Sequence, residues 1–152
     1  MKKLCVYIIF IFINTELNAE LLKASPLLDP KQVIQIQLNA LKKNNEPYKD
    51  YGIEQTYEFA HPLNRVFTGP LENFTKMMYS NNYIKILNHK RHIINTIEIL
   101  DKSAFFYIEI IDINGQNLGF KWTVEKVFIE GQFLNCWMTT SVSTPMKYGE
   151  SA

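Results

Sequence analysis

The spacing of hydrophobic positions changes rhythm once, near Tyr83, and that change predicts helices first and strands afterwards,. Before it, Val33, Ile34, Leu38 and Leu41 recur at close to helical intervals. Asp29-Pro30-Lys31-Gln32, just ahead of them, reads as a helix start. Asp29 can cap free backbone N–H groups, Pro30 suits the first helical position, and Gln32 can reach back to the cap. Lys42 and Lys43 then meet the negative end of the helix dipole,. Residues 44–52 are polar, contain Pro47 and Gly52, and read as a loop. A second helix is expected over residues 53–60, ending before Pro62, which disfavours helix in His61,. A third opens at Gly69-Pro70-Leu71-Glu72, with Gly69 as cap, and puts Leu71, Phe74 and Met78 on one face.

From Tyr83 the pattern is strand-like. Residues 93–100 and 104–113 are rich in Ile, Phe and Tyr, with Asp101-Lys102-Ser103 as the turn between them. Asn114-Gly115 is the strongest turn signal and predicts a tight hairpin with positive φ at both positions,. Leu118, Phe120, Trp122 and Val124 alternate with Gly119, Lys121, Thr123 and Glu125, so one face is buried and the other wet,. A turn near Glu130-Gly131 leads into a last strand over residues 133–142, and the chain after Pro145 reads as a frayed tail, 145–152. Three helices followed by a four-stranded antiparallel meander describe a single α+β domain over residues 28–144, with the helices on one sheet face.

The beginning of the chain carries a different kind of information. Lys2 and Lys3 precede the apolar run Leu4 to Ile13, and a polar stretch then ends at Asn18-Ala19. A basic end, a short apolar core and a small residue at a cleavage point mark residues 1–19 as a secretory signal peptide. The apolar run is too short to span a bilayer comfortably, since a spanning helix needs about 20 apolar residues. An exported protein is therefore expected, in the periplasm, the thylakoid lumen or the medium. Leu17 is bulky where cleavage prefers a small residue, so a form held at the membrane by an uncleaved leader is the alternative. Cys5 precedes most of the apolar run, too early for the lipid-bearing cysteine of a lipoprotein.

Charge and cysteine content narrow the functions further. The formal charge of +1 includes Lys2, Lys3 and Glu16, so the chain beyond the leader is neutral. A neutral chain argues against general nucleic-acid binding and against electrostatic docking on an anionic membrane. His89-Lys90-Arg91-His92 is the one basic run and reads as a solvated strand start whose side chains point to opposite faces. Beyond the leader only Cys136 remains, so no internal disulfide forms,. Cys136 reads as a small buried hydrophobe. His89 and His92 share no metal spacing with any carboxylate, no glycine-rich phosphate loop exists, and neither a metal nor another cofactor is expected,.

Three stretches carry a family resemblance. They are Val33-Ile34, Gln37-Leu38 and Ala40-Leu41 in the first helix; Asn64-Arg65, Thr68-Gly69-Pro70-Leu71, Phe74 and Met77 in the middle; and Cys136-Trp137-Met138-Thr139 near the end. Over residues 28–144 the chain resembles the uncharacterised family called domain of unknown function 4864. The order of elements is also similar to the cone-shaped fold of nuclear-transport-factor-2-like (SnoaL-like) proteins, in which a curved sheet wraps a helix and leaves a pocket. That superfamily joins isomerase-type and dehydratase-type enzymes to non-enzymatic binding and dimerisation modules, so the resemblance implies a pocket and leaves its chemistry open. The family's plastid and cyanobacterial occurrence points to periplasm or thylakoid lumen.

Two groups of residues stand out as candidate ligand-binding positions. Glu58, His61, Asn64 and Arg65 surround the junction between the second and third helices, where a loop held by a scaffold carries function,. They could bind an anion or move a proton, or Asn64 and Arg65 could simply pin the turn to backbone carbonyls. Tyr107, Trp122 and Trp137, with Glu109 and Glu125, could decorate one mouth of a cone-shaped pocket,. Glu109 and Asp112 fall on opposite strand faces, so at most one points inward. No catalytic set emerges. The expectation is an exported, non-enzymatic module that binds a small apolar ligand or forms a homodimer through an aromatic outer sheet face. The alternatives are an isomerase or lyase using a pocket carboxylate or histidine, and an accessory protein of a membrane complex.

Overall fold

The computed structural model describes residues 19–147. The leader reading falls on residues 1–18 and so lies outside the described residues, as do 148–152. Four α-helices come first: α1 (Pro30–Lys42), α2 (Tyr51–Glu58), α3 (Pro62–Thr68) and α4 (Leu71–Met78). A short 3-10 turn, Ile84–Ile86, leads to strands β1 (Arg91–Ile99), β2 (Ser103–Ile111), β3 (Asn117–Lys126), β4 (Trp137–Val142) and β5 (Met146–Lys147). The sheet is antiparallel in the order β1-β2-β3-β4, and β5 pairs with β3 beyond β4. It is an α+β fold with an open sheet. Among the described residues no helix is long and apolar enough to cross a membrane.

The start of α1 forms as its sequence dictates. Asp29 accepts from the Gln32 N–H at 2.8 Å while the Gln32 side chain accepts from the Asp29 N–H at 2.9 Å. Val33, Ile34, Gln37, Leu38 and Leu41 form its buried face. α1 lies across the sheet, packing against both β1 and β4, and α2 packs beside it. The α1–α2 approach is close at Gly52, where a side-chain carbon would stand 2.3 Å from the Ala40 carbonyl oxygen. Glycine is the residue that fits.

The sheet buries one face cleanly. Ala104, Phe106, Ile108 and Ile110 of β2 face the helices, in register with Val124, Trp122, Phe120 and Leu118 of β3. Their fellow core residues come from α1, α2 and α4. At about 1.5–3 kcal/mol for each fully buried large apolar side chain, this shared layer is the dominant favourable contribution to the fold. On the outer face Phe105, Tyr107, Glu109 and Ile111 are half-buried. The Tyr107 hydroxyl lies over Gly119, where a side-chain carbon would clash with it.

Several expectations need correcting. There are four helices rather than three, because residues 62–68 form α3 instead of a loop. Pro62 begins α3 and the His61 Nδ1 atom accepts from the Leu63 N–H at 3.1 Å, capping it. Gly69, expected as the cap of the next helix, instead ends α3 with φ of 75°, and Pro70 precedes α4. The strand-like region starts at Arg91, not Tyr83, because Tyr83–Ile86 coil into a 3-10 turn and Asn88 takes a left-handed φ of 54°. The last long strand begins at Trp137, since residues 127–136 turn through Asn135 at φ 64°. Of the stretch after Pro145, Met146–Lys147 pair with β3 as β5, and residues 148–152 lie outside the described residues. At Asn114-Gly115 only Gly115 has positive φ; Asp112 organises the turn, its carboxylate accepting from the Asn114 and Gln116 N–H groups. Asp112 is wholly buried and also meets Lys85 Nζ at 3.1 Å. Burial alone would raise its pKa, but the Gln116 N–H and the Lys85 ammonium pull it below the ordinary carboxylate value.

Candidate functional site

A cavity of about 270 Å³ opens between the helix layer and the sheet. Its apolar walls come from Leu41 of α1, Phe74, Met77 and Met78 of α4, Ile86 and Trp122. One wall is polar. The Trp122 Nε1–H donates to Thr139 Oγ1 at 3.0 Å, and that hydroxyl donates to Gln37 Oε1 at 2.7 Å. Gln37 Nε2 in turn donates to the Thr56 carbonyl at 3.1 Å, and Thr56 Oγ1 donates to the Gly52 carbonyl at 2.7 Å. The chain of bonds runs from sheet to α2 through α1. Every buried polar side-chain atom among the described residues has a partner.

Thr139 is the knot of this wall. Its N–H donates to the Phe59 carbonyl at 2.8 Å and its own carbonyl accepts from the His61 N–H at 2.9 Å. Asn64 Nδ2 adds a weaker bond to the same carbonyl at 3.3 Å. The helix layer thereby meets β4 edge to edge, with Ala60 bridged to Thr139.

The mouth lies where α3 faces the end of β4. Phe67 of α3 lines the cavity yet is 88% exposed, and Ser141, two residues along β4 from buried Thr139, is exposed too. Tyr83 also lines it and donates its hydroxyl to the Val142 carbonyl at 3.0 Å. Burial pushes the Tyr83 pKa up, so at neutral pH its phenol is a neutral hydroxyl,. Among the described residues, the lining contains no carboxylate, imidazole, thiol, lysine or arginine.

The residues singled out from sequence divide between several places. Asn64 and Trp122 line the cavity. Arg65 does not: its guanidinium donates to the carbonyls of Ala60, Tyr57 and Glu58 and lies over the Tyr57 and Phe133 rings. It pins α3 to the end of α2. The Glu58 carboxylate pairs outward with Lys23 at 2.9 Å. His61 is buried under a separate, shallower hollow shared with Glu125, Lys126 and Phe128. Burial lowers its pKa, and Glu125 partly offsets this. Tyr107 is on the outer sheet face, and Trp137 sits at the core's margin beneath the Lys126 ammonium. Glu109 on the outer face accepts from Asn95 at 2.8 Å.

Gln37 and Thr139 were not singled out as site residues. Gln37 did carry a signal, as a polar residue inside the apolar stripe of α1. A second polar cluster corrects the reading of His89 and His92 on opposite faces. His89 precedes β1, is 1% exposed, and its Nε2 stands 2.7 Å from His92 Nδ1. Its Nδ1 stands 2.7 Å from the Ile86 carbonyl, and His92 Nε2 lies 3.1 Å from Gln35 Nε2. The bonds fix the protons: Gln35 donates to His92, His92 to His89, and His89 to Ile86, with both rings neutral. Among the described residues no group of three or more His, Cys, Asp or Glu could hold a metal ion. No protein-family model, curated protein or solved structure matches the chain.

Proposed function

We propose that this chain is an exported, non-enzymatic module whose cavity between helices and sheet binds a small apolar ligand. The observation that carries this reading is the lining itself: aliphatic, thioether and aromatic groups around one polar wall, with no acid or base beyond a neutral phenol. Such a composition, mostly apolar with a few placed polar groups, is that of a binding pocket. The isomerase or lyase alternative calls for a carboxylate or imidazole in the cavity, and the lining has neither. Helices first, an open antiparallel sheet after, and a cavity between them also support kinship in layout with the nuclear-transport-factor-2-like cone.

Titrating the full chain with naphthalene tests the reading. Binding is expected to shift tryptophan emission, because Trp122 lines the cavity, and to raise Tm by mass action,. Unchanged emission and Tm up to the solubility limit of naphthalene would remove it. Export rests on the leader at residues 1–19 and is checked by the N-terminus of protein recovered from a secreting host. A first residue near 20 is expected; an intact Met1 in the membrane fraction would favour the anchored alternative.

A further inference from the structure

We infer that the cavity selects uncharged amphiphiles, taking an apolar body of about eight to ten carbons with a single hydroxyl or carbonyl at the mouth, and rejecting the matching anion or cation. This rests on the binding reading above and adds to it the ligand's charge, size and orientation.

Charge follows from what surrounds the space. A carboxylate or ammonium seated at its mouth would give up part of its water and meet no counter-ion in the lining, so it binds more weakly than a neutral head,. The nearest candidate partner in sequence, Arg65, already gives hydrogen bonds to three carbonyls and stacks on two rings. Size follows from the volume. A cavity of about 150 Å³ lined by apolar groups holds benzene, and this one, about 270 Å³, offers nearly twice that room.

Orientation follows from the unused hydrogen-bonding capacity. Deep in the cavity, each side-chain polar atom of Trp122, Thr139, Gln37 and Thr56 already has a protein partner, so that wall does not depend on a ligand. Near the mouth the balance differs. The Tyr83 oxygen still has a lone pair after donating to Val142, and Asn64 Nδ2 has a second N–H beyond its 3.3 Å bond to the Thr139 carbonyl,. A ligand hydroxyl or carbonyl therefore finds its partners at the rim, beside water, while its chain fills the apolar interior. Phe67, exposed at the rim, covers the entering chain.

Calorimetry on the full chain with three probes of one length tests this: 1-nonanol, nonanoate and nonylammonium at pH 7.5. Nonanol is expected to bind at least about tenfold more tightly than either ion, the desolvation cost setting the gap. Thr68→Trp, a plug in the cavity lining, is expected to abolish nonanol binding, with circular dichroism and Tm confirming that the variant folds. Tyr83→Phe is expected to weaken nonanol binding and leave naphthalene binding unchanged. Nonanoate binding as tightly as nonanol would overturn the inference and leave the binding module standing. Failure of naphthalene and all three probes, or nonanol binding indifferent to a folded Thr68→Trp, would overturn both.

Discussion

Lowering the pH from 7.5 to 4.5 is expected to strip the fold of about 2.5 kcal/mol through His89 alone. The imidazole is buried, and burial is the main reason its pKa falls from 6.5 to about 4. The neighbouring His92 and Lys42 lower it further, while the bond to the Ile86 carbonyl works the other way. The unfolded chain takes up a proton near pH 6.5; the folded chain resists until about pH 4. The unfolded state thus binds more protons between those values, so stability is complete above about pH 6.5 and declines as pH falls towards 4. His92, lowered by burial and Lys42, and His61, lowered by burial, add in the same direction. Urea unfolding at pH 7.5, 6.0 and 5.0 measures the slope. His89→Gln is expected to lower stability at pH 7.5 and flatten the slope below 6.5. A slope unchanged by that substitution would show that the imidazole pair is not its source.

The second large effect belongs to Thr139→Val. Valine keeps the branched shape and the strand preference of threonine, so the change is close to the deletion of one hydroxyl. That hydroxyl accepts from Trp122 and donates to Gln37, whose residues are only 2% and 1% exposed. Both partners are left buried and unpaired, at about 1–3 kcal/mol each. A total loss of about 3 kcal/mol is expected in urea unfolding. Thr140→Val, which removes one longer bond to the Thr123 carbonyl at 3.3 Å on a half-buried side chain, is expected to cost under about 1 kcal/mol,. Equal losses for the two substitutions would show that the buried wall adds nothing special.

What could be read from the sequence was whatever short-range chemistry decides. The Asp29–Gln32 cap and the apolar stripe of α1 need only neighbours a turn or so away, and both are present as read. The alternation through Leu118–Val124 likewise places the buried face of β3. α3 escaped notice because no residue in it is buried, so no stripe marks it. The His89–His92 contact escaped because alternation presumes a strand, and Asn88 turns the chain before one begins. Arg65 looked like a charged site residue but spends its donors on carbonyls five to eight residues back, the plainer of its two readings. The cavity's polar wall joins Gln37 to Thr139, 102 residues apart. No local pattern encodes such a meeting.

The long reach of that wall bears on the order in which the protein assembles. The helices leave the ribosome first, yet the side chain of Gln37 waits for Thr139 and cannot finish its bonds until β4 has been made and paired with β3. Closing so wide a loop costs chain entropy before any contact repays it, which slows folding. A nascent chain of this design stays loose through most of its synthesis and locks in one late step, a property that would suit the export proposed above.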